Sequence, residues 1–193
     1  DAATDTVSNE QLSIVLGEHF LLTFQERPGD VFEPVRERLQ RLTSRIRMSG
    51  PDYLAYALMD TVVDNYMHII ERIGEKIEDL EEEILAGHDD LVMEKINLFK
   101  REINYLRKTI RPAREAVFEL FRLESSLLDE KNLPFFKDLQ DLMNQTAEAI
   151  DTYRDLLTDQ LNIHNSVMAN KMNDVMKILT IFAAVFIPLT FVA

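Results

Sequence analysis

Asn170-Lys171-Met172-Asn173-Asp174-Val175-Met176-Lys177-Ile178-Leu179-Thr180, continued by an apolar run to Ala193, is the stretch on which the fold turns. From Ile178 to Ala193 sixteen residues pass without a charge. As a helix they reach about 24 Å, against the roughly 30 Å hydrocarbon core of a bilayer. The expectation is a membrane span cut short, with a buried core helix or the end of a tail anchor as the alternatives.

The pattern inside and before the run separates these readings. Asn162, Ser166, Ala169, Asn173, Met176, Thr180, Ala183, Ile187 and Thr190 recur at alternating spacings of four and three, which is one continuous helical face. That face is small, polar or flexible, whereas Ile178, Ile181, Phe182, Val185, Phe186, Leu189 and Phe191 take the other positions. Inside a membrane, small and polar side chains face other helices or water. One helix cannot enclose a lumen, so several copies would have to contribute the stripe; a packing seam without a lumen fits the same spacing.

Farther out, the composition narrows the function classes. A formal charge of -13 argues against nucleic-acid binding, which needs clustered Lys and Arg on phosphates. With no cysteine, disulfides and thiolate metal sites are excluded, and His19, His68, His88 and His164 lack ligand spacing. No phosphate loop, nucleophile elbow or His/Cys cluster marks an enzyme. The five glycines and six prolines leave little room for loops, so helix should dominate. Starting at Asp1 with no signal pattern, the chain reads as a fragment trimmed at both ends.

In order along the chain, the first ten residues are polar and small and read as poorly ordered or as the tail of a strand. Gln11 to Leu16 and Phe20 to Gln25 read as a hairpin, the edge of a larger sheet. Asp30 with Glu33 resembles a capping arrangement for a helix running to about Met48, closed by Gly50 in a left-handed conformation before Pro51. Asp52 is expected to cap a long helix with a heptad seam at Tyr66, Ile70, Ile73, Ile77, Leu80 and Ile84. After Gly87-His88-Asp89 a second seam follows at Ile96, Phe99, Ile103, Leu106, Ile110, Ala113, Val117 and Leu120. So short a connection makes the two helices an antiparallel coiled-coil hairpin. Its surface is uneven, with acids concentrated from Glu71 to Glu83 and Lys100, Arg101, Arg107, Lys108, Arg111 and Arg114 on the second helix. After Ser125-Ser126, Pro134 opens a helix with no breaker before Pro188, a rod of about 90 Å. Lys171 and Lys177 place the chain before about residue 178 on the cytoplasmic side.

Asn173 to Thr180 with Phe186-Ile187-Pro188-Leu189-Thr190-Phe191 resembles the first transmembrane helix of the CorA family of magnesium and cobalt transport proteins. Phe24-Gln25-Glu26, Gly29 to Arg38, Leu80 to Leu85, Leu106 to Ile110 and Thr152-Tyr153-Arg154-Asp155 agree with it. The family's Gly-Met-Asn signature and second membrane helix would lie beyond Ala193. The resemblance implies a mainly α chain with a small β-hairpin. It would divide into a remnant of a cytoplasmic α/β domain (1–50), the coiled-coil hairpin (51–132), a stalk helix (133–177) and a truncated first membrane helix (178–193).

It also implies passive passage of Mg²⁺ and Co²⁺ through a homopentamer in the inner membrane, with lipid and divalent cations as the other partners. The lining would be Asn162, Ser166, Ala169, Asn173, Met176, Leu179, Thr180, Ala183, Ile187 and Thr190. Asp60 and Asp138 match positions where carboxylates of adjacent subunits hold regulatory divalent ions, and Asn162 stands where relatives can carry Asp. The acidic segment 71–83 would gather cations near the pore mouth, or be a solvated face. Zinc-transporting relatives share the architecture, and a membrane-anchored coiled-coil scaffold is the alternative from another class.

Overall fold

The computed structural model describes residues 10–86, 89–122 and 125–192. The readings given above for the first nine residues and for Gly87-His88 lie outside them. Strands β1 (Leu12–Leu16) and β2 (Leu21–Gln25) form the expected hairpin, antiparallel with Leu12 opposite Gln25 and Leu16 opposite Leu21. One face, with Leu12, Ile14 and Leu21, packs on a small core of Phe32, Val35, Ile46, Tyr53, Ala57 and Leu58. Val15, Phe20, Leu22 and Phe24 stay exposed.

The helix expected to run from Asp30 to Met48 is two: α1 (Glu33–Gln40) and α2 (Arg45–Met48). Arg41 and Ser44 are extended, and Thr43 and Ser44 both have weak helix propensity, so the chain turns there. Asp30 does not act through a capping box. Its carboxylate accepts from the Phe32 amide at 3.0 Å and pairs with Arg36, which holds it below the usual carboxylate range. The left-handed glycine is Gly29 (φ 97°) rather than Gly50, because α2 closes on an extended Ser49.

Helices α3 (Pro51–Ala86), α4 (Asp89–Arg122) and α5 (Leu133–Val192) make up the rest, with a short 3₁₀ turn at Glu130–Asn132 before α5. Pro188 does not end α5, which continues to Val192. The heptad seams of α3 and α4 are buried, but they do not close only on each other. Leu139, Met143, Ile150 and Leu157 of α5 join Ile70, Ile77, Leu80, Ile96, Ile103 and Ile110 in one core. The hairpin is thus two-thirds of a three-helix bundle. The first half of α5 supplies its third seam at the same alternating spacing of four and three.

The direction of each helix follows from its cross-contacts. Asp52 meets Asn132, and a Cβ on Gly74 would overlap the Tyr153 ring, so α3 runs parallel to α5. Arg107 meets Asp151 at 3.0 Å, and Arg114 lines the same groove as Ala147, so α4 runs antiparallel to both. Asp52 is 2% exposed and, among the described residues, makes no capping bond in its own helix. It accepts from the Asp129 amide and the Asn132 side chain, both at 2.9 Å, and so ties the start of α5 to the start of α3. Tyr53, Tyr56, Phe135 and Phe136 pack around that joint edge to face or tilted, geometries that suit the ring quadrupole.

Candidate functional site

From Met168 to Phe191 every side chain of α5 is exposed, and α5 is the one described helix long and apolar enough to cross a membrane. Asn162, Ser166, Ala169, Asn173, Met176, Leu179, Thr180, Ala183, Ile187 and Thr190 all lie on exposed helix. The orientation of the stripe is fixed by its upper end. Gln160 and His164 are buried, Gln160 donating to the Ile77 carbonyl of α3, while Asn162, two residues from each, is exposed. Two residues on a helix are more than half a turn, so the stripe points away from the bundle core.

The hydroxyls on the stripe are spoken for by their own helix. Ser166 donates to the Asn162 carbonyl at 2.9 Å, Thr180 to Met176 at 2.7 Å and Thr190 to Phe186 at 3.0 Å. With the proton used in this way, each oxygen offers only lone pairs outward. Together with the Asn162 and Asn173 amide oxygens, these are acceptors. The waters around a divalent cation are donors, so this face suits a hydrated ion. On another face Phe182 and Phe186 stack with centroids 6.1 Å apart.

The same four-three register continues upward through Asp159, Asp155, Thr152, Glu148, Gln145, Asp141 and Asp138, all exposed. These five carboxylates belong to the face that becomes neutral at Asn162. The sequence reading stopped the stripe at Asn162 and took Asp138 alone from above it. Carrying the spacing upstream is the signal that finds the rest.

Asp138 sits on this face, and Asp60 lies near it on α3. Burial, then the negative charge of Asp64, pushes the Asp60 carboxyl above the usual range. A hydrogen bond with Tyr56 and the charge of Arg38 oppose that rise, and Asp138 adds to it. Burial, then Asp60 by charge and hydrogen bond, with a smaller contribution from Asp138, raises the Tyr56 hydroxyl. Among the described residues no three His, Asp or Glu side chains stand close enough to hold a metal ion. Asp60 and Asp138 thus stand as two neighbouring carboxylates, fewer than the three that would make a metal-holding group.

Comparison with known proteins gives four matches. The family model for "CorA-like Mg2+ transporter protein" matches residues 1–193. The cobalt/magnesium transport protein CorA of Thermotoga maritima is 41% identical over 187 residues, covering 97% of this chain and 53% of that protein. The complete structure of the CorA magnesium transporter from Methanocaldococcus jannaschii superposes with a TM-score of 0.72 at 27% identity, over 83% of this chain and 50% of that one. Full-length CmaX shares the fold, with a TM-score of 0.81 at 19% identity over 94% of this chain and 55% of that one. The chain spans about half the length of these relatives.

Proposed function

Because the chain belongs to the family of CorA-like Mg²⁺ transporters, a family of membrane transporters and not of enzymes, we propose that the whole protein passes Mg²⁺ and Co²⁺ through a ring of identical subunits. The ring is a homopentamer in the inner membrane, the bundle lies in the cytoplasm, and the stripe from Asn162 to Thr190 lines the axis. One observation carries the reading: the face stays exposed over its whole length in the single chain while keeping one helical register from aqueous stalk to apolar end. A lone helix would leave Asn173 and Thr180 against lipid, and a ring turns them to a shared lumen.

The chemistry follows from the face. Rings of Asp138, Asp141, Glu148, Asp155 and Asp159 concentrate divalent cations above the pore, an attraction that salt weakens. At Asn162 the charge ends. Below it, amide and hydroxyl oxygens accept from the ion's waters, so Mg²⁺, which dehydrates reluctantly, need not shed them. Met176 and Leu179 supply an apolar constriction that gates by dewetting. Asp60 and Asp138 hold a regulatory Mg²⁺ with carboxylates from elsewhere in the ring. The ion offsets the cost of burying the Asp60 charge beside Asp64 and Asp138 and stabilises the closed ring by mass action.

The test is Mg²⁺ influx into vesicles carrying the full-length protein with Asn173→Cys or Thr180→Cys. Both variants should cross-link between subunits and lose influx to a pore-accessible thiol reagent. Block and cross-linking at Phe182→Cys instead, with Thr180→Cys insensitive, overturn the axis assignment.

A further inference from the structure

The charges on the two flanks of α5 are opposite in sign and equal in height. On α3, Asp64, His68, Glu71, Glu75, Glu78 and Glu82 alternate by four and three, all exposed. This acidic stripe borders the α3/α5 groove, where Tyr153 packs on Gly74 and burial, then the charges of Glu78, Glu71 and Glu75, raises its hydroxyl. On α4, Lys100, Arg107, Arg111 and Arg114 fall on one register. The three arginines line the α4/α5 groove with Ala147, Ile150 and Asp151. Tyr153 and Asp151 are two residues apart, so the grooves lie on opposite sides of α5.

The heights follow from the cross-contacts. Asp52 with Asn132 and Gly74 with Tyr153 put Glu71 level with Asp151, and Arg107 is level with Asp151 by direct contact. Two turns toward the hairpin strands, Asp64 on α3 matches Arg114 on α4, because the helices are antiparallel. Two turns the other way, Glu78 matches Lys100.

Within the chain Asp151 meets Arg107 of the basic flank at 3.0 Å, and Arg154 of its own helix at 3.4 Å. Arg111 and Arg114 remain exposed, with Arg114 stacked over Phe118.

We infer that the acidic α3 flank of one copy docks on the basic α4 flank of the next, making the lateral contact of the cytoplasmic ring. This rests on the ring proposed above. If α5 turns its exposed stripe to the axis, these two grooves are the surfaces turned to the neighbours, and rotation about the axis brings like heights together. A head-to-tail contact of this kind closes into a ring. Each pair is weak and screened by salt, so the ladder sets register and handedness more than affinity.

The test uses the full-length protein in mild detergent, whose mass reports the ring independently. Asp64→Cys with Arg114→Cys in one chain should give, on oxidation, a ladder of covalent multimers up to the ring size. Either substitution alone should leave monomer on a denaturing gel. A second arm reverses charge: Glu71→Lys, Glu75→Lys and Glu78→Lys together should lower the salt concentration at which the ring dissociates. Adding Lys100→Glu, Arg111→Glu and Arg114→Glu should restore it. A ring of unchanged mass with no ladder, or charge reversals that compound rather than cancel, overturns the docking while leaving the ring reading intact. Loss of the ring in the unsubstituted protein overturns both.

Discussion

Helix α5 carries one period through two environments. In its first half, to about Val167, the residues at four-three spacing are buried against α3 and α4. In its second half every side chain is exposed. The first half meets its partners within the chain, so its seam is Leu, Met and Ile with Thr146, Gln160 and His164 interspersed. The second half puts its apolar residues on the outside and keeps a small, polar stripe. This inverts the aqueous rule, as a helix in lipid does when it saves its polar face for other helices. An identical period thus specifies a core in one half and an assembly surface in the other. What differs is which side of the helix the apolar residues occupy.

The sharpest way to break this contrast is to truncate one leucine in each half. Leu157 is fully buried and Leu189 is not. Leu157→Ala should cost about 2–5 kcal/mol of unfolding free energy, the range for a buried leucine leaving a cavity. Leu189→Ala should change it by less than about 0.5 kcal/mol. Denaturant unfolding followed by circular dichroism in mild detergent measures both. Equal losses would mean that the second half is folded into the bundle.

A smaller effect is expected where the first half is anchored. Asp52→Ala leaves the Asp129 amide and the Asn132 side chain without their shared acceptor and should cost about 1–3 kcal/mol. Asp52→Asn keeps an acceptor oxygen and should cost less. Midway along the same half, Tyr153 packs so closely on α3 that a Cβ on Gly74 would overlap its ring. Gly74→Ala should therefore destabilise by up to about 2 kcal/mol, the overpacking cost less the roughly 1 kcal/mol that alanine gains over glycine inside a helix. Tyr153→Leu on that background should recover part of the loss, a coupling read from a double-mutant cycle.

The sequence was legible where one period met one kind of partner. The hairpin, the heptads of α3 and α4, the long rod and the apolar end are all where the spacing put them. The third seam was missed because Thr146, Gln160 and His164 interrupt its apolar pattern, and their burial depends on α3 and α4 being alongside. Gln160, 1% exposed, donates to the Ile77 carbonyl across the bundle, a contact that no local pattern announces. The break after Gln40 and the role of Asp52 were hidden for a related reason. Aspartate before a helix reads as a cap, and its true partners lie 77 and 80 residues away. The small, polar stripe is legible from Asn162 downward by the contrast of polar residues with an apolar background. Upstream the background is itself polar, and Asp141, Glu148, Asp155 and Asp159 became visible as one face only once the opposite face was seen buried.

The smallest effect probes whether the upper end of α5 shares a regulatory task with α3. In the fold Asp60 binds its proton more readily than in the unfolded chain, whose aspartate titrates near 3.8, chiefly through burial and then through Asp64. The sign follows. Above the folded value, holding Asp60 ionised costs stability. As pH falls through the folded value toward the unfolded one, the fold takes up the proton first and the cost disappears. Asp60→Asn should therefore raise the melting temperature of the full-length protein at pH 7, by an amount kept small by the residue's partial exposure. The gain should fade through the upper carboxylate range. A Mg²⁺ ion held at Asp60 and Asp138 would offset the same cost, so Mg²⁺ should raise the melting temperature of the unsubstituted protein more than that of Asp60→Asn. Equal Mg²⁺ shifts in the two would remove Asp60 from any regulatory site, while a pH-dependent difference between them would still stand as the mark of its burial.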